Sequence, residues 1–199
     1  MIVVGVTGPI AAGKSTVTRA LGDCGAALFD ADAHVWDFYQ GEGLAAVSAL
    51  FPGARADGRI DRARLSALAL ADPEALRRLE SLVHPAVAER RRRFLAAAQN
   101  AGARMAAMEI PLLVETGGER QVDVVLLVDA PEAIRRERAL ARPGMTGEKL
   151  AAIVARQASG DERRRRAHFV IDSGGALDST ILQARDFFRA LAGAEMGRR

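Results

Sequence analysis

The stretch G-P-I-A-A-G-K-S-T, residues 8–16, decides the fold because it has the spacing of a phosphate-binding loop. It follows an apolar run from Ile2 to Val6 and precedes an amphipathic helical pattern. In such a strand–turn–helix unit, backbone N–H groups and the positive end of the helix dipole converge on one anion. Gly8 and Gly13 let the backbone approach phosphate closely. The stretch therefore predicts a nucleoside triphosphate site.

Two side chains of this loop are expected to reach the bound nucleotide or its metal ion. Lys14 would contact the β- and γ-phosphates, and the Ser15 hydroxyl would occupy one coordination position on Mg²⁺. A nucleoside triphosphate is therefore the expected co-substrate and Mg²⁺ the expected cofactor. The predicted nucleotide-binding set, which the family resemblance described below implies to be an ATP site, is Gly8, Ala11, Ala12, Gly13, Lys14, Ser15 and Thr16.

The composition favours a soluble protein with one domain. The 199 residues carry a net charge of +3, concentrated in two runs, Arg90–Arg93 and Arg163–Arg166, with little aromatic character. Nucleic-acid binding is therefore not expected. Cys24 is the only cysteine, which excludes an intrachain disulfide and favours a reducing compartment. No apolar run reaches about eighteen residues, so a cytoplasmic protein without a membrane partner is predicted, and the oligomeric state stays unknown.

Short apolar runs alternate with helical patterns along the chain. The predicted strands are Ile2–Val6, Ala26–Phe29, Arg104–Ile110, Val122–Val128 and Phe169–Ile171. The predicted helices are Lys14–Gly22, Asp61–Leu70, Pro73–Asn100, Pro131–Ala141, Gly147–Arg166 and Leu177–Ala192. This alternation predicts an α/β P-loop NTPase fold, with a five-stranded parallel sheet flanked by helices and ligands at the carboxyl ends of the strands.

Two long segments interrupt this pattern within a single predicted kinase domain, residues 1–199. Residues 33–100 are largely helical, with a turn-rich break at 52–58, and are predicted to form an acceptor-binding insertion. Residues 135–166 are rich in arginine and are predicted to form a lid. Within the insertion, His84 precedes a proline and is expected at a bend, as a packed or capping residue.

Phosphoryl transfer requires cations around the transferred group. Arg138 and Arg142 lie one helical turn apart on one face, which fits such a clamp and fits a solvated arginine-rich helix equally well. The run Arg163–Arg166 is expected to be solvated or close to phosphate rather than catalytic. No spacing of cysteine, histidine and carboxylate residues suggests zinc.

Carboxylates follow two of the predicted strands. Asp30 and Asp32 come directly after the second strand, where alternation would place them on one side. Either could accept the proton of an acceptor hydroxyl or cap a helix starting near Ala33, and a functional role for at least one is favoured. Asp129 could contact Mg²⁺ through water or cap the next helix, and the cap is favoured.

The order of these motifs resembles the dephospho-coenzyme A kinase family over nearly the whole chain. The resemblance rests on the P-loop and on several later segments. These segments are Asp30-Ala31-Asp32, Asp61-Arg62, Leu79–Pro85, Ile110–Glu115, Arg138, Arg142, Gln157 and Val170–Asp172 with Gly174. It implies transfer of the γ-phosphate of ATP to the ribose 3′-hydroxyl of dephospho-coenzyme A, the last step of coenzyme A biosynthesis.

The resemblance also implies roles for individual residues. Asp32 would be the base or the hydroxyl anchor, with Lys14, Arg138 and Arg142 as catalytic cations and Ser15 on the metal. Contacts with the acceptor, dephospho-coenzyme A, would come from Asp32, His84, Leu112 and Glu115. The chain departs from the family at six positions: the family often has glycine at Pro9 and Ala11, and other residues at Trp36, Arg135, His168 and Ser173.

Two other functions use the same P-loop. A kinase of the nucleoside monophosphate type would differ only in its acceptor. A P-loop switch or nucleic-acid-associated ATPase would need a water-positioning Glu or Gln beside a metal-binding aspartate, and Asp129 is followed instead by Ala130-Pro131.

Overall fold

The structure, a computed structural model, describes residues 1–196 and divides the chain into two compact units. The first unit consists of Met1–Phe29 and the chain from Ala98 onward, and the second of Asp30–Ala97. The second unit overlaps the predicted insertion, residues 33–100. Among the described residues, no helix has the length and apolar character needed to span a membrane.

Strands and helices alternate in the first unit, and helices predominate in the second. The strands are β1 (Ile2–Thr7), β2 (Ala27–Asp30), β3 (Arg55–Ala56), β4 (Arg59–Ile60), β5 (Met105–Glu109), β6 (Val124–Asp129) and β7 (Phe169–Asp172). The helices are α1 (Lys14–Asp23), α2 (Ala31–Gln40), α3 (Leu44–Leu50), α4 (Arg62–Ala71), α5 (Pro73–Asn100), α6 (Glu132–Leu140), α7 (Gly147–Ala155), α8 (Gly160–Arg166) and α9 (Leu177–Met196).

A parallel sheet of five strands, in the order β2-β5-β1-β6-β7, confirms the predicted α/β fold. The central strand β1 pairs in parallel with both β5 and β6. Because parallel strands are buried on both faces, their side chains are almost continuously apolar, as Val4 and Val6 show with no exposed surface. One side of the core is closed by α1 and α9, which contact each other and bury Leu21 and Phe187.

The predicted helix over residues 147–166 is wrong, because two helices occupy the segment. The first, α7, ends at Ala155, and the second, α8, begins at Gly160. Ser159 explains the break, since its side chain accepts a hydrogen bond from the N–H of Glu162 and thereby caps α8. A serine in this position favours a new helix start over continuation of the preceding helix.

The turn-rich break at residues 52–58 contains a β-hairpin in the second unit. Strands β3 and β4 pair antiparallel and are joined by Asp57 and Gly58. Both residues have positive φ, 49° and 78°, as a two-residue type I′ turn requires.

The predicted helix Pro73–Asn100 is confirmed as α5, which continues through Pro85, so His84 lies within a helix and not at a break between helices. A proline inside a helix removes one hydrogen bond and costs about 3 kcal/mol. Here the helix buries Leu79 and Val83 in the core of the second unit, together with Phe38 and Phe51. This packing outweighs the local preference, and His84 itself is exposed on the helix.

Candidate functional site

The loop between β1 and α1 has the conformation that binds an anion. Gly8 has φ 150°, and a Cβ there would lie 2.1 Å from the carbonyl oxygen of Val128, so only glycine fits. Gly13 has φ 84° and is the N-cap of α1, without a side-chain cap. No hydrogen bond joins the N–H of Gly13 or Ser15 to another described residue. These amides at the start of the helix are therefore available to phosphate oxygens.

The ammonium group of Lys14 lies over the same loop. Its Nζ donates hydrogen bonds to the carbonyl oxygens of Gly8 and Pro9, at 2.9 and 3.0 Å. Pro9 has no N–H of its own, but its carbonyl also accepts the N–H of Ala12 at 3.2 Å. The proline thus shapes the loop through its oxygen and helps to hold the lysine where the phosphates are expected.

A cavity of about 310 Å³ borders the P-loop. It is lined by Ala11, Gly13, Ser15, Thr16, Arg138, Arg142, Ser173, Gly175, Leu177 and Thr180. Arg138 also donates a hydrogen bond to the carbonyl oxygen of Ser173, at 2.9 Å. The spacing of Arg138 and Arg142 fitted two arrangements, and the structure places both side chains in the P-loop cavity. Two cations therefore border the space beside the open amides of Gly13 and Ser15.

Four of these lining residues were not predicted as site residues from the sequence: Ser173, Gly175, Leu177 and Thr180. They follow β7, whose carboxyl end lies at the edge of the sheet where ligands bind in α/β folds. That rule was the available signal, together with the family resemblance of Val170–Asp172 and Gly174, which did not assign a role to these four residues.

Asp129 does not cap the following helix, so that prediction is wrong. The N-cap of α6 is Pro131, and no side chain caps this helix. Instead, the Asp129 carboxylate accepts hydrogen bonds from the N–H of Ala130 at 2.9 Å and from Arg164 at 2.8 Å. Arg135 lies 3.8 Å away. The carboxylate therefore binds a neighbouring amide and an arginine instead of the start of the helix.

The arginine run at 163–166 was expected to be solvated or close to phosphate. One of its members is buried instead. Arg163 is 7% exposed and donates a hydrogen bond to the carbonyl of Ala158. Its Nη1 lies 3.9 Å from Oε1 of Glu115, which accepts the N–H of Ala158 at 2.8 Å. Burial lowers the pKa of the Arg163 guanidinium, while the charge of Glu115 acts in the opposite direction. A run of four arginines does not reveal which of them faces inward, and α8 turns Arg163 toward the core.

Asp30 and Asp32 have separate positions in the second unit. Asp30 is the N-cap of α2 and accepts the N–H of Ala33 at 3.0 Å. Asp32 lies in the first turn of the helix and is exposed. The expected alternation is wrong, since the strand ends at Asp30 and the helix begins at Ala31. The two carboxylates therefore differ in position: Asp30 caps the helix, and Asp32 is exposed on its first turn.

The residues predicted to contact the acceptor are distributed over both units. Leu112 and Glu115 belong to the first unit, in the segment after β5, whereas Asp32 and His84 belong to the second. Leu112 is exposed, although its neighbour Leu113 has no exposed surface. An exposed leucine beside a buried one offers an apolar contact to a ligand. Glu115 is mostly buried, and its Oε2 has no hydrogen-bond partner among the described residues.

Comparison with known proteins identifies the family. The family model for dephospho-CoA kinase matches residues 2–179 of this chain. The chain belongs to the dephospho-CoA kinase family. A dephospho-CoA kinase from Rhodopseudomonas palustris strain HaA2 is 46% identical over 192 residues, which cover 96% of each chain. The predicted family is thereby confirmed, and with it an ATP-dependent phosphotransferase of the last step of coenzyme A biosynthesis.

Solved structures agree with this dephospho-CoA kinase fold. A protein from Thermus thermophilus is 36% identical, with a TM-score of 0.83 over 95% of this chain and 96% of that one. The dephospho-CoA kinase from Campylobacter jejuni has a TM-score of 0.72 at 21% identity, over 97% and 98% of the two chains. At that identity the likeness supports the fold alone.

Proposed function

We propose that this chain transfers the γ-phosphate of ATP to the ribose 3′-hydroxyl of dephospho-CoA, with the P-loop cavity as its nucleotide site. The observation that carries the proposal is the composition of this cavity. Open backbone amides, the Ser15 hydroxyl and the guanidinium groups of Arg138 and Arg142 border one space of about 310 Å³. These are the groups that bind a triphosphate and stabilise the charge of a phosphoryl group in transfer.

The three cations have different tasks in this proposal. Lys14 is held against the loop by two carbonyl oxygens, which fixes its ammonium near the β- and γ-phosphates. Arg138 is anchored to a backbone carbonyl and therefore presents its guanidinium in a defined direction. Arg142 is exposed in the turn that follows α6. Its freedom suits a group that closes on the γ-phosphate after ATP has bound.

The residues of the cavity fit a Mg²⁺ ion. Mg²⁺ keeps several waters and binds through substrate phosphates with one or two protein oxygens. Ser15 supplies such an oxygen, since its side chain is exposed in the cavity. Ser15 is the ligand that we assign, because it lines the cavity, whereas Asp129 is not among the lining residues. When bound, the ion would neutralise charge between the β- and γ-phosphates.

The acceptor hydroxyl requires a group that removes or orients its proton. We assign this role to Asp32, because Asp30 is used as a helix cap and Asp32 is exposed in the first turn of α2. His84, Leu112 and Glu115 are assigned to acceptor contacts, as the family resemblance implies. The exposed histidine and leucine support this assignment through their accessibility.

The wider assignments follow from the same reasoning. We propose one kinase domain with an acceptor-binding insertion over residues 33–100 and a lid over residues 135–166. A cytoplasmic location and the absence of a nucleic-acid partner are part of the proposal, on the grounds of the single cysteine and of a small net charge that lies mainly in two arginine runs with little aromatic character.

The test measures Mg²⁺-dependent release of ADP from ATP, with and without dephospho-CoA, and with AMP, adenosine and shikimate as rival acceptors. Strong stimulation by dephospho-CoA alone, with the product phosphorylated at the ribose 3′ position, is expected. Turnover with a rival acceptor, and none with dephospho-CoA, would contradict the proposal.

The role of Asp32 is tested by Asp32→Asn, with Asp37→Asn as the matched control on the same helix, where Asp37 is also exposed. Asp32→Asn should lower kcat by roughly 10²–10⁴-fold, as for the loss of a positioned base. Its affinity for ATP should be unchanged, and Asp37→Asn should behave as the unmodified enzyme. If Asp32→Asn lowered the affinity for ATP by as large a factor as it lowers kcat, Asp32 would not have the assigned role.

A further inference from the structure

Ser173 makes contacts with three different parts of the nucleotide site. It follows β7 directly and is 3% exposed. Its Oγ lies 2.5 Å from the carbonyl oxygen of Ala12 in the P-loop and 3.0 Å from that of Asp129 at the end of β6. Its N–H donates to the same Asp129 oxygen at 2.8 Å. A single buried residue therefore links two neighbouring loops at the edge of the sheet.

The hydroxyl can serve only one of the two carbonyls at a time, because it has one hydrogen to donate. The oxygen of Asp129 already accepts the N–H of Ser173, whereas the contact with Ala12 is the shorter one. The hydroxyl hydrogen therefore belongs to Ala12, a residue without exposed surface. Since a buried carbonyl needs a donor, this hydrogen bond holds the P-loop in shape just before Gly13.

The carbonyl of Ser173 forms the third link, since it accepts the hydrogen bond of Arg138 at 2.9 Å. The side chain of Ser173 thus fixes the P-loop, and its main chain fixes the arginine that faces the P-loop across the cavity. We propose that Ser173 is a positioning residue, which sets the distance between Arg138 and the bound phosphates. This inference rests on the proposed function, because it concerns the geometry of the same phosphoryl transfer.

The variant Ser173→Ala removes the hydroxyl and keeps the backbone contacts. Without the anchor at Ala12, the loop and the Ser173 carbonyl shift relative to each other, and a displaced catalytic group costs up to about 10²-fold in rate. We expect kcat/KM for ATP to fall about 10- to 100-fold, with a substantial part of the loss in kcat. Ser173→Cys, which keeps a similar volume but is a weak donor, should show the same loss, and it replaces Ser173→Ala if that variant does not fold.

The matched control is Thr18→Val. Thr18 is also buried in the first unit, but its Oγ1 has no hydrogen-bond partner among the described residues. Loss of this hydroxyl should leave the kinetic constants unchanged. Rates are divided by the concentration of sites that bind ADP, so that loss of folded protein does not imitate a catalytic defect.

A double-mutant cycle with Arg138→Ala separates positioning from a merely structural role. If Ser173 acts through Arg138, adding Ser173→Ala to Arg138→Ala should cause little further loss of kcat, so that the two effects are not additive. The inference would be overturned if the factors by which the two substitutions lower kcat multiplied in the double mutant. It would also be overturned if kcat were unchanged in both Ser173→Ala and Ser173→Cys. Activity of the unmodified enzyme toward dephospho-CoA is established first, so failure of the proposed function would be seen separately.

Discussion

Ala11 has an unusual backbone conformation for a residue with a side chain. Its φ is 60°, in the left-handed region, and Asp57 is the only other non-glycine residue with positive φ in the described chain. Its methyl group is 5% exposed and packs against Ala139 and Leu150, from the two helices that follow β6. The alanine is therefore strained by its backbone and stabilised by its packing. Ala11→Gly tests the balance of these two terms.

The two terms are similar in size. The left-handed conformation costs an L-residue about 1–2 kcal/mol, which glycine does not incur. Loss of one buried methyl group costs about 0.8 kcal/mol, and the greater freedom of glycine in the unfolded chain costs about 0.4–1 kcal/mol. Ala11→Gly should therefore change the free energy of unfolding by no more than about 0.8 kcal/mol in either direction.

Ala139→Gly is the matched control, because Ala139 belongs to the same cluster but lies in a right-handed helix. This substitution loses the methyl group and helix propensity without relief of strain, and should cost between about 1.3 and 1.8 kcal/mol. Urea unfolding followed by circular dichroism, without nucleotide, measures both free energies. If Ala11→Gly destabilised the enzyme as much as Ala139→Gly, Ala11 would not be strained and the reasoning would fail.

Two further substitutions test the cavity and the buried arginine. Arg142→Ala should lower kcat by about 10²–10³-fold, as for loss of one donor to a developing charge, and an unchanged rate would exclude Arg142 from the phosphate clamp. Glu115→Ala should leave Arg163 buried without its carboxylate, at a cost of about 3 kcal/mol or more, which lowers Tm by roughly 6 °C or more. Asp186→Ala, which breaks an exposed ion pair, is the control and should change stability by less than about 1 kcal/mol. If Glu115→Ala and Asp186→Ala lowered Tm equally, the stabilising role of the buried pair of Glu115 and Arg163 would be contradicted.

The features that could be predicted from the sequence are those that depend on neighbouring residues. The P-loop is recognisable because its glycines, its lysine and its helix start lie within nine residues, and the strands are continuous apolar runs. The conformation of Ala11 was not predictable, since alanine gives no local signal for positive φ. The helix Pro73–Asn100 was predicted with its observed bounds, but the place of His84 inside it rather than at a bend was not, because burial of Leu79 and Val83 overrides the local preference of proline.

The site shows the same division between local and long-range features. Arg138 and Arg142 could be selected by their spacing, but only the fold brings them to the P-loop. Ser173 lies more than 150 residues from its partner Ala12, so no window of sequence could join the two. The pairing arises because β1, β6 and β7 are neighbours in one sheet, and their carboxyl ends therefore meet.

The arginines of the predicted lid differ in what they can do for phosphate, and their partners decide the difference. Arg163 is buried beside Glu115, Arg164 is bonded to Asp129, and Arg166 is bonded to Glu119. A guanidinium that already neutralises a carboxylate would have to give up that partner to bind a phosphate, at a cost in free energy. Arg138 is bonded to a neutral carbonyl instead, so its charge remains uncompensated by that contact. For this reason the phosphate clamp is expected from the cavity arginines rather than from the denser run, although that run carries more charge.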